Sequence, residues 1–342
     1  MVLRRCAAAA LGLLVLAPGL TACGDDAGVE VGDVVAARAD DQFSEGSPSS
    51  VVLPRGRLEI SLGEPTDKLG ADDTRQLEAI TAPAGSTFVP LTWQYDAATF
   101  NDYADFLTTE STPAITLLAD GASYRLPAPR ETGEGSASFY VLVSGSAKEP
   151  SLAVDFEGVK QTVDLATGER DAGLAEPLYD LKPPKDKASN CTTDATFAEK
   201  VVVADFACSV RRVVRLPYAG SAWAEPDHTW LGVTIRTSLG RYAVSADARS
   251  GAIYYPLEVT PTFTLGKVKS AAVIEDTASR SCPDLTQGGC TTVYNVVFDL
   301  TEGASTRLGA TFTYDMTQTS IYGGADAEEE ITADIEVRTK VR

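Results

Sequence analysis

The only histidine of the chain, His228, lies in a short segment that is rich in aromatic and acidic side chains. A Ser-His-Asp or Cys-His catalytic site would have to be built on it. Aromatic loop residues offer a large contact area at low entropic cost, and they stack on sugars or on partner side chains. In the packing role that we favour, Trp230 lies in the core, Trp223 covers a sheet edge and His228 is a surface residue. The candidate ligand or partner loop comprises Tyr218, Trp223, Glu225, Asp227, His228 and Trp230.

The common catalytic motifs are missing from the sequence. It has no G-x-S-x-G nucleophile elbow, no G-x4-G-K-[ST] phosphate loop, no H-E-x-x-H zinc motif and no EF-hand loop. Carboxylate pairs for acid–base catalysis cannot be singled out, because 48 acidic residues form such pairs by chance. The sequence therefore predicts a protein that is not an enzyme, and an enzyme of unrecognised type built on His228 is the remaining alternative.

Four of the six cysteines are available for disulfides, because Cys6 and Cys23 fall in the N-terminal segment discussed below. Four cysteines allow three pairings, and we favour the one that joins neighbours in sequence. By loop-closure entropy, the two bridges would contribute about 3 and about 2.5 kcal/mol. A zinc site is disfavoured, because neither pair has C-x2-C spacing and the chain has one histidine. The favoured pairs are Cys191–Cys208 and Cys282–Cys290.

An acidic cluster near the C-terminus offers the hard oxygen ligands that calcium prefers. Its spacing matches no loop that would make the carboxylates converge, and adjacent residues of a strand point to opposite faces. A solvated hairpin that blocks edge-to-edge aggregation is the interpretation we favour, although calcium stays open. We predict no cofactor and no metal ligand. The cluster consists of Asp326, Glu328, Glu329, Glu330 and Asp334.

The N-terminus resembles a bacterial lipoprotein signal peptide. Arg4 and Arg5 precede an apolar run, Ala7 to Leu16, that is too short to span a membrane as a helix. Leu20-Thr21-Ala22-Cys23 then has the large, small, small, cysteine pattern of a lipobox. The resemblance implies cleavage after residue 22, diacylglycerol on Cys23 and a place on the extracytoplasmic face of the cell membrane. In the alternative, the signal peptide is ordinary or uncleaved and Cys23 is incidental.

The charge of the chain limits its partners. The formal net charge is -19 at pH 7, and removal of residues 1–22 would delete two arginines and no acid. A surface this acidic repels phosphate backbones and anionic lipid headgroups. We therefore expect no nucleic-acid partner, whereas basic partners and divalent cations stay open.

Composition and periodicity divide the chain into five parts. Residues 1–22 are the signal peptide, and residues 23–50 are predicted to be an acylated cysteine with a disordered, acidic tether. Short alternating segments, such as Val89 to Tyr95, predict antiparallel strands in a first β-sandwich over 51–170. Residues 171–190 contain Lys182-Pro183-Pro184-Lys185 and are predicted to be a semi-rigid linker. A second sandwich follows over 191–342.

The strand order is similar to that of telokin-like, immunoglobulin-like domains of secreted bacterial lipoproteins. The shared features are an aromatic-bearing early strand, an Asp-Gly-x-x-Tyr turn at Asp120 to Tyr124 and a late strand pair. The resemblance covers residues 85–165 and, more loosely, 228–342, and it carries no catalytic residues. It implies an all-β chain with two tandem immunoglobulin-like, antiparallel β-sandwich domains. Whether the halves arose by duplication stays open.

Together, these features predict a non-catalytic, lipid-anchored envelope protein. Its sandwiches would bind another envelope protein or brace an envelope complex. The alternative is a lipoprotein that binds a small ligand or a cell-wall glycan through the Tyr218–Trp230 loop.

Overall fold

The computed structural model describes residues 28–44, 48–108, 110–129, 135–182, 188–284 and 288–341. Strands make up 58% of the structure and helices 7%, and the sheets are antiparallel, so the predicted all-β class is confirmed. In the described residues, no helix is long and apolar enough to cross a membrane. The signal-peptide and Cys23 predictions fall outside these residues.

The N-terminal half, residues 28–182, contains two five-stranded sheets with the orders β1-β9-β6-β3-β2 and β12-β11-β10-β7-β8. A 3₁₀ turn (Ala97–Phe100) and the short helix α1 (Asn101–Ala104) connect the two sheets after β6. The strands are β1 (Val34–Ala36), β2 (Ser49–Leu53), β3 (Gly56–Leu62), β4 (Lys68–Leu69), β5 (Ile80–Thr81), β6 (Ser86–Asp96), β7 (Ala114–Ala119), β8 (Ala122–Arg125), β9 (Ser136–Ser144), β10 (Ser151–Phe156), β11 (Val159–Asp164) and β12 (Arg170–Asp171).

Alternating apolar residues hold these two sheets face to face. Val89 and Leu91 of β6 are fully buried in one cluster with Ile115 of β7 and Val154 of β10. The predicted turn at Asp120-Gly121 is confirmed, because both residues have positive φ and Ala119 pairs with Ala122 across it. Two positive φ angles match the twist that a two-residue hairpin needs. The half is therefore a sandwich, while its immunoglobulin-like assignment stays a prediction.

The predicted disorder of the tether is wrong for its described part, residues 28–44 and 48–50. Strand β1 pairs with the edge of β9, and Ser49 begins strand β2. Val35 is buried beside Phe88, in a cluster that covers the outer face of the sheet. Gln42 Nε2 donates a hydrogen bond to the hydroxyl of Tyr140 over 2.9 Å. The edge strand and the burial of Val35 and Ala37, with Phe43 packed against their cluster, order a segment that is rich in acidic residues.

The C-terminal half, residues 188–341, forms one large sheet that folds over itself. It also contains 3₁₀ turns at Thr192–Asp194 and Thr277–Ser279. Its strands are β13 (Ser189–Asn190), β14 (Ala195–Thr196), β15 (Val201–Leu216), β16 (Tyr218–Ala219), β17 (Ala222–Trp223), β18 (His228–Ser245), β19 (Gly251–Leu265), β20 (Val268–Lys269), β21 (Ala272–Glu275), β22 (Cys290–Thr301), β23 (Arg307–Tyr322) and β24 (Glu330–Lys340).

Strand β18 organises this half because it pairs along its length with β15 and, on its other side, with β22 and then β19. Strands β19, β23 and β24 form the opposite layer, and Phe263 and Phe312 pack there against Tyr294 of β22 in one core. Both predicted disulfides are confirmed. Cys191–Cys208 has a Cα–Cα distance of 5.0 Å, and Cys282–Cys290 has one of 4.1 Å.

Part of the segment predicted to be a semi-rigid linker packs against the body of the protein. Residues Gly173–Asp180 form a 3₁₀ helix whose Ala175 and Leu178 are buried in a cluster with side chains from both halves. Tyr179 donates through its hydroxyl to Gln161 over 2.8 Å and accepts from the backbone N–H of Val52. Ala175 and Leu178 are three residues apart, which places them on the same side of a 3₁₀ helix, whereas Leu174 is exposed. The division at 171–190 into tandem domains stays a prediction.

Gly232 of β18 tests the close packing between the halves. A Cβ at this position would lie 2.8 Å from the Phe106 ring and 2.9 Å from a Val214 methyl group. We expect Gly232→Ala to lower the free energy of unfolding by about 1–3 kcal/mol, measured by urea denaturation, because such overpacking forces neighbours apart. Gly135→Ala is the control, since no atom lies within 4 Å of its Cβ position. Equal stabilities of the two variants would contradict the close junction.

Candidate functional site

The predicted loop is a small hairpin followed by the start of a long strand. Strands β16 and β17 form the junction hairpin, residues 218–223, which turns at Gly220 with a φ of +61°. The backbone N–H of Gly220 donates to the carbonyl of Phe106 over 2.7 Å, and its carbonyl accepts from Thr108 over 2.8 Å. The hairpin of the C-terminal half is thus joined by backbone hydrogen bonds to the N-terminal half.

The three aromatic residues of the loop pack against protein. The Tyr218 ring is buried, with its centroid 5.4 Å from Phe156 and 5.1 Å from Trp223. Burial raises the pKa of Tyr218 to about 12. Trp223 Nε1 donates to the carbonyl of Phe156 over 2.8 Å, and Trp230 Nε1 donates to that of Ala222 over 3.0 Å. Edge-to-face packing and satisfied indole N–H groups are typical of aromatic residues that stabilise a fold.

The polar residues of the loop lie elsewhere. His228 Nδ1 donates to Asp299 Oδ1 of β22 over 2.8 Å, and the two side chains are 28% and 44% exposed. This hydrogen bond raises the pKa of His228, and the negative charges of Asp299, Glu225 and Asp227 act in the same direction. The protonated imidazole is therefore favoured at the surface of an acidic patch.

Asp299 could not be assigned to the site from sequence. It lies 71 residues from His228, and only the antiparallel register of β18 and β22 brings the two together. The local signal is that Asp299 interrupts the apolar run Val296 to Leu300. An acidic residue at such a position has to reach solvent or a partner.

A groove of about 430 Å³ lies between the 3₁₀ helix Gly173–Asp180 and residues 215–229. Of the six predicted site residues, Glu225, Asp227 and His228 line this groove, and the three aromatic residues do not. Its other charged lining residues are Glu176 and Arg215. Its apolar lining includes Leu174, Pro177, Leu181, Pro217, Ala224 and Pro226.

The groove offers binding chemistry more readily than catalysis. In the described part of the chain, the side-chain hydrogen bond of His228 goes to Asp299, and Thr229 supplies the one hydroxyl of the lining. A general base needs a nucleophile or a bound water within about 2.6–3.2 Å. Apolar walls with a charged rim are typical of a surface that binds a ligand or a protein segment.

The acidic cluster near the C-terminus does not form a metal site among the described residues, where no group of three or more potential ligands converges. Asp334 of β24 instead accepts a hydrogen bond from Thr313 Oγ1 over 2.6 Å. Asp326, Glu328 and Glu329 lie exposed in the turn between β23 and β24. This arrangement agrees with the expected solvated hairpin.

Comparisons of the chain with protein-family models, with curated proteins and with solved structures found no match. The telokin-like resemblance therefore stays a prediction. The site has to be interpreted from its own geometry.

The His228–Asp299 pair predicts a pH-dependent contribution to stability. Because the pKa of His228 is raised in the fold, the pair stabilises below the unfolded value of 6.5, and this stabilisation is lost as the pH rises through the folded pKa. Neighbouring charges from other elements are Glu176 and Arg215. We expect Asp299→Asn to lower the pKa of this single histidine, measured by an NMR pH titration. The variant should also flatten the fall in unfolding free energy that the wild type shows as the pH rises above 6.5.

Asp315→Asn is the matched control for that experiment. Asp315 is an exposed acid of β23 whose carboxylate accepts a hydrogen bond from Thr332 over 2.7 Å. Its neutralisation should leave the His228 titration unchanged. An equal shift in both variants would mean that general surface charge, rather than the hydrogen bond to Asp299, raises the pKa of His228.

Proposed function

We propose that this chain is a non-catalytic lipoprotein of the cell envelope that binds another envelope protein or braces an envelope complex. Diacylglycerol on Cys23 would hold it on the extracytoplasmic face of the cell membrane. The observation that carries the proposal is that aromatic residues of the loop pack between the two halves of the chain. Tyr218 and Trp223 pack against Phe156, so they join the two halves into one braced body.

Two features support an extracytoplasmic location. The residues Leu20 to Cys23 have the lipobox pattern, and the preceding segment has the charge and length of a signal peptide. The bridges Cys191–Cys208 and Cys282–Cys290 are typical of proteins that fold in an oxidising compartment. Both features are expected of an exported protein.

A continuous junction supports a bracing or adaptor role. Phe106 of the N-terminal half is fully buried in a cluster with Val214 and Leu216 of β15. Because large apolar interfaces resist relative motion of the parts they join, the two halves would present their surfaces to a partner in a fixed arrangement. A fixed arrangement reduces the entropy lost when a partner binds.

A glycan-binding or small-ligand role through the Tyr218–Trp230 loop is the second candidate that the sequence raises. The structure gives it less support, because the indole N–H groups of Trp223 and Trp230 already donate to backbone carbonyls. The ring of Tyr218 is buried. Trp223 and Trp230 are partly buried, which reduces the aromatic surface of this loop that could stack on a sugar, and we therefore place protein binding first.

Replacement of Cys23 tests the anchor. We expect the wild-type protein to sediment with membranes and to be released by detergent, because acyl chains partition into the bilayer. The Cys23→Ala protein should be found in the soluble extracytoplasmic fraction, as measured by fractionation and immunoblotting. Continued sedimentation of the variant with membranes would show that something other than an acyl group holds the protein.

Crosslinking in living cells tests the partner. We expect one dominant protein adduct, identified by mass spectrometry, whose yield falls when Cys23→Ala releases the chain from the membrane. This dependence follows because a shared membrane raises the effective concentration of the two proteins. Recovery of glycan adducts alone, or of no adduct, would contradict the adaptor proposal.

A further inference from the structure

The groove between the 3₁₀ helix Gly173–Asp180 and residues 215–229 is apolar inside. Leu174 projects into it with 44% of its surface exposed, and Pro177, Pro217 and Pro226 contribute further apolar walls. Large exposed apolar side chains that gather in one depression are typical of interaction sites. Leu174 is therefore a contact point for a partner's apolar side chain.

The rim of the groove is acidic. Glu225 and Asp227 are exposed there, and Asp299 lies behind His228. Glu176 is paired with Arg170 over 3.3 Å, and Arg215 is the one permanently cationic residue of the lining. In a chain with a net charge of -19, this rim favours a cationic partner both locally and at long range.

Both walls of the groove are fixed in the absence of a partner. On one side, the 3₁₀ helix is held by its own buried residues Ala175 and Leu178 and by the hydrogen bond from Tyr179 to Gln161. On the other side, the carbonyl of Pro217 accepts from the backbone N–H of Ala224 over 2.7 Å. A groove that is formed in advance binds without the cost of ordering its own walls.

The lining also separates a protein ligand from a sugar ligand. Among the described residues that form it, none carries a side-chain amide, and the one aromatic ring is the imidazole of His228. Sugars are held by stacking aromatic rings and by many paired polar groups, whereas an aliphatic side chain needs neither. The chemistry of the groove thus fits an aliphatic peptide segment.

We infer that this groove is the docking site for a segment of a partner protein in which an aliphatic side chain is flanked by lysine or arginine. The inference rests on the proposed protein-binding function and deepens it. The aliphatic side chain would contact Leu174 and Pro177. The flanking cations would pair with Glu225 and Asp227.

Synthetic peptides of matched length provide the first test. One alternates lysine with leucine, a second alternates glutamate with leucine, and a third alternates lysine with serine, and each is measured by fluorescence anisotropy. We expect the lysine–leucine peptide to bind best. Equal binding of the glutamate–leucine or lysine–serine peptide, or no binding of the lysine–leucine peptide, would overturn the inference.

Two variants localise that binding to the groove. Glu225→Gln with Asp227→Asn removes two rim charges, and asparagine tolerates the φ of +67° found at Asp227. We expect this double variant and Leu174→Ser each to weaken binding of the lysine–leucine peptide at least about fivefold. The control, Asp326→Asn with Glu329→Gln, removes two exposed acids outside the lining and should bind as the wild type does. Equal weakening in the control would overturn the site.

A photo-crosslinking amino acid placed at position 174 or at position 202 separates failure of the site from failure of the function. Val202 is 58% exposed on β15 and lies outside the groove lining. In intact cells, we expect a protein adduct at 174 that the Glu225→Gln and Asp227→Asn changes diminish. A protein adduct at 202 alone would overturn the groove while the protein-binding function stands. No protein adduct at either position would count against both.

Discussion

The contact of the junction hairpin with the N-terminal half is the interaction on which the rest of the structure depends. Phe156 lies at the end of β10, and the rings of Tyr218 and Trp223 pack on it edge to face. Backbone hydrogen bonds of Gly220 with Phe106 and Thr108 fix the hairpin at the same place. The aromatic packing buries apolar surface between the halves, while the backbone hydrogen bonds fix the position of the junction hairpin. Together they decide how the strands of one half face those of the other.

The groove exists because of that contact. One wall is the 3₁₀ helix Gly173–Asp180, near the end of the N-terminal half. The other wall is formed by residues 215–229 of the C-terminal half, which include the start of β18. Trp223 is partly buried and Ala224 is buried, whereas Glu225 and Asp227 just after them are exposed and form the rim. The pairing of β18 with β22 then places Asp299 under His228. The packing at the junction and the acidic rim of the groove thus depend on the same few residues.

Local patterns predicted more of this structure than long-range ones. The pair Cys282–Cys290 and the turn at Asp120-Gly121 depend on short spacing and on backbone preference, which a sequence displays directly. The order of residues 28–44 was missed because it comes from the free edge of β9, which no nearby residue reveals. Asp299 was missed for a related reason, since strand register alone brings it to His228. Composition suggested a linker where Pro177 in fact belongs to a packed 3₁₀ helix.

The packing of Val29 beside the outer cluster of the first sheet has a consequence for how the protein would stand on a bilayer. Six residue steps separate Cys23 from Val29, and a fully extended chain of that length spans at most about 20 Å. With an acyl group on Cys23, the folded part of the chain would be held close to the bilayer surface, because this connecting segment is short. Anionic headgroups would repel an acidic body. The first sheet would then stay within a short distance of the headgroups, which limits its partners to those that reach that level.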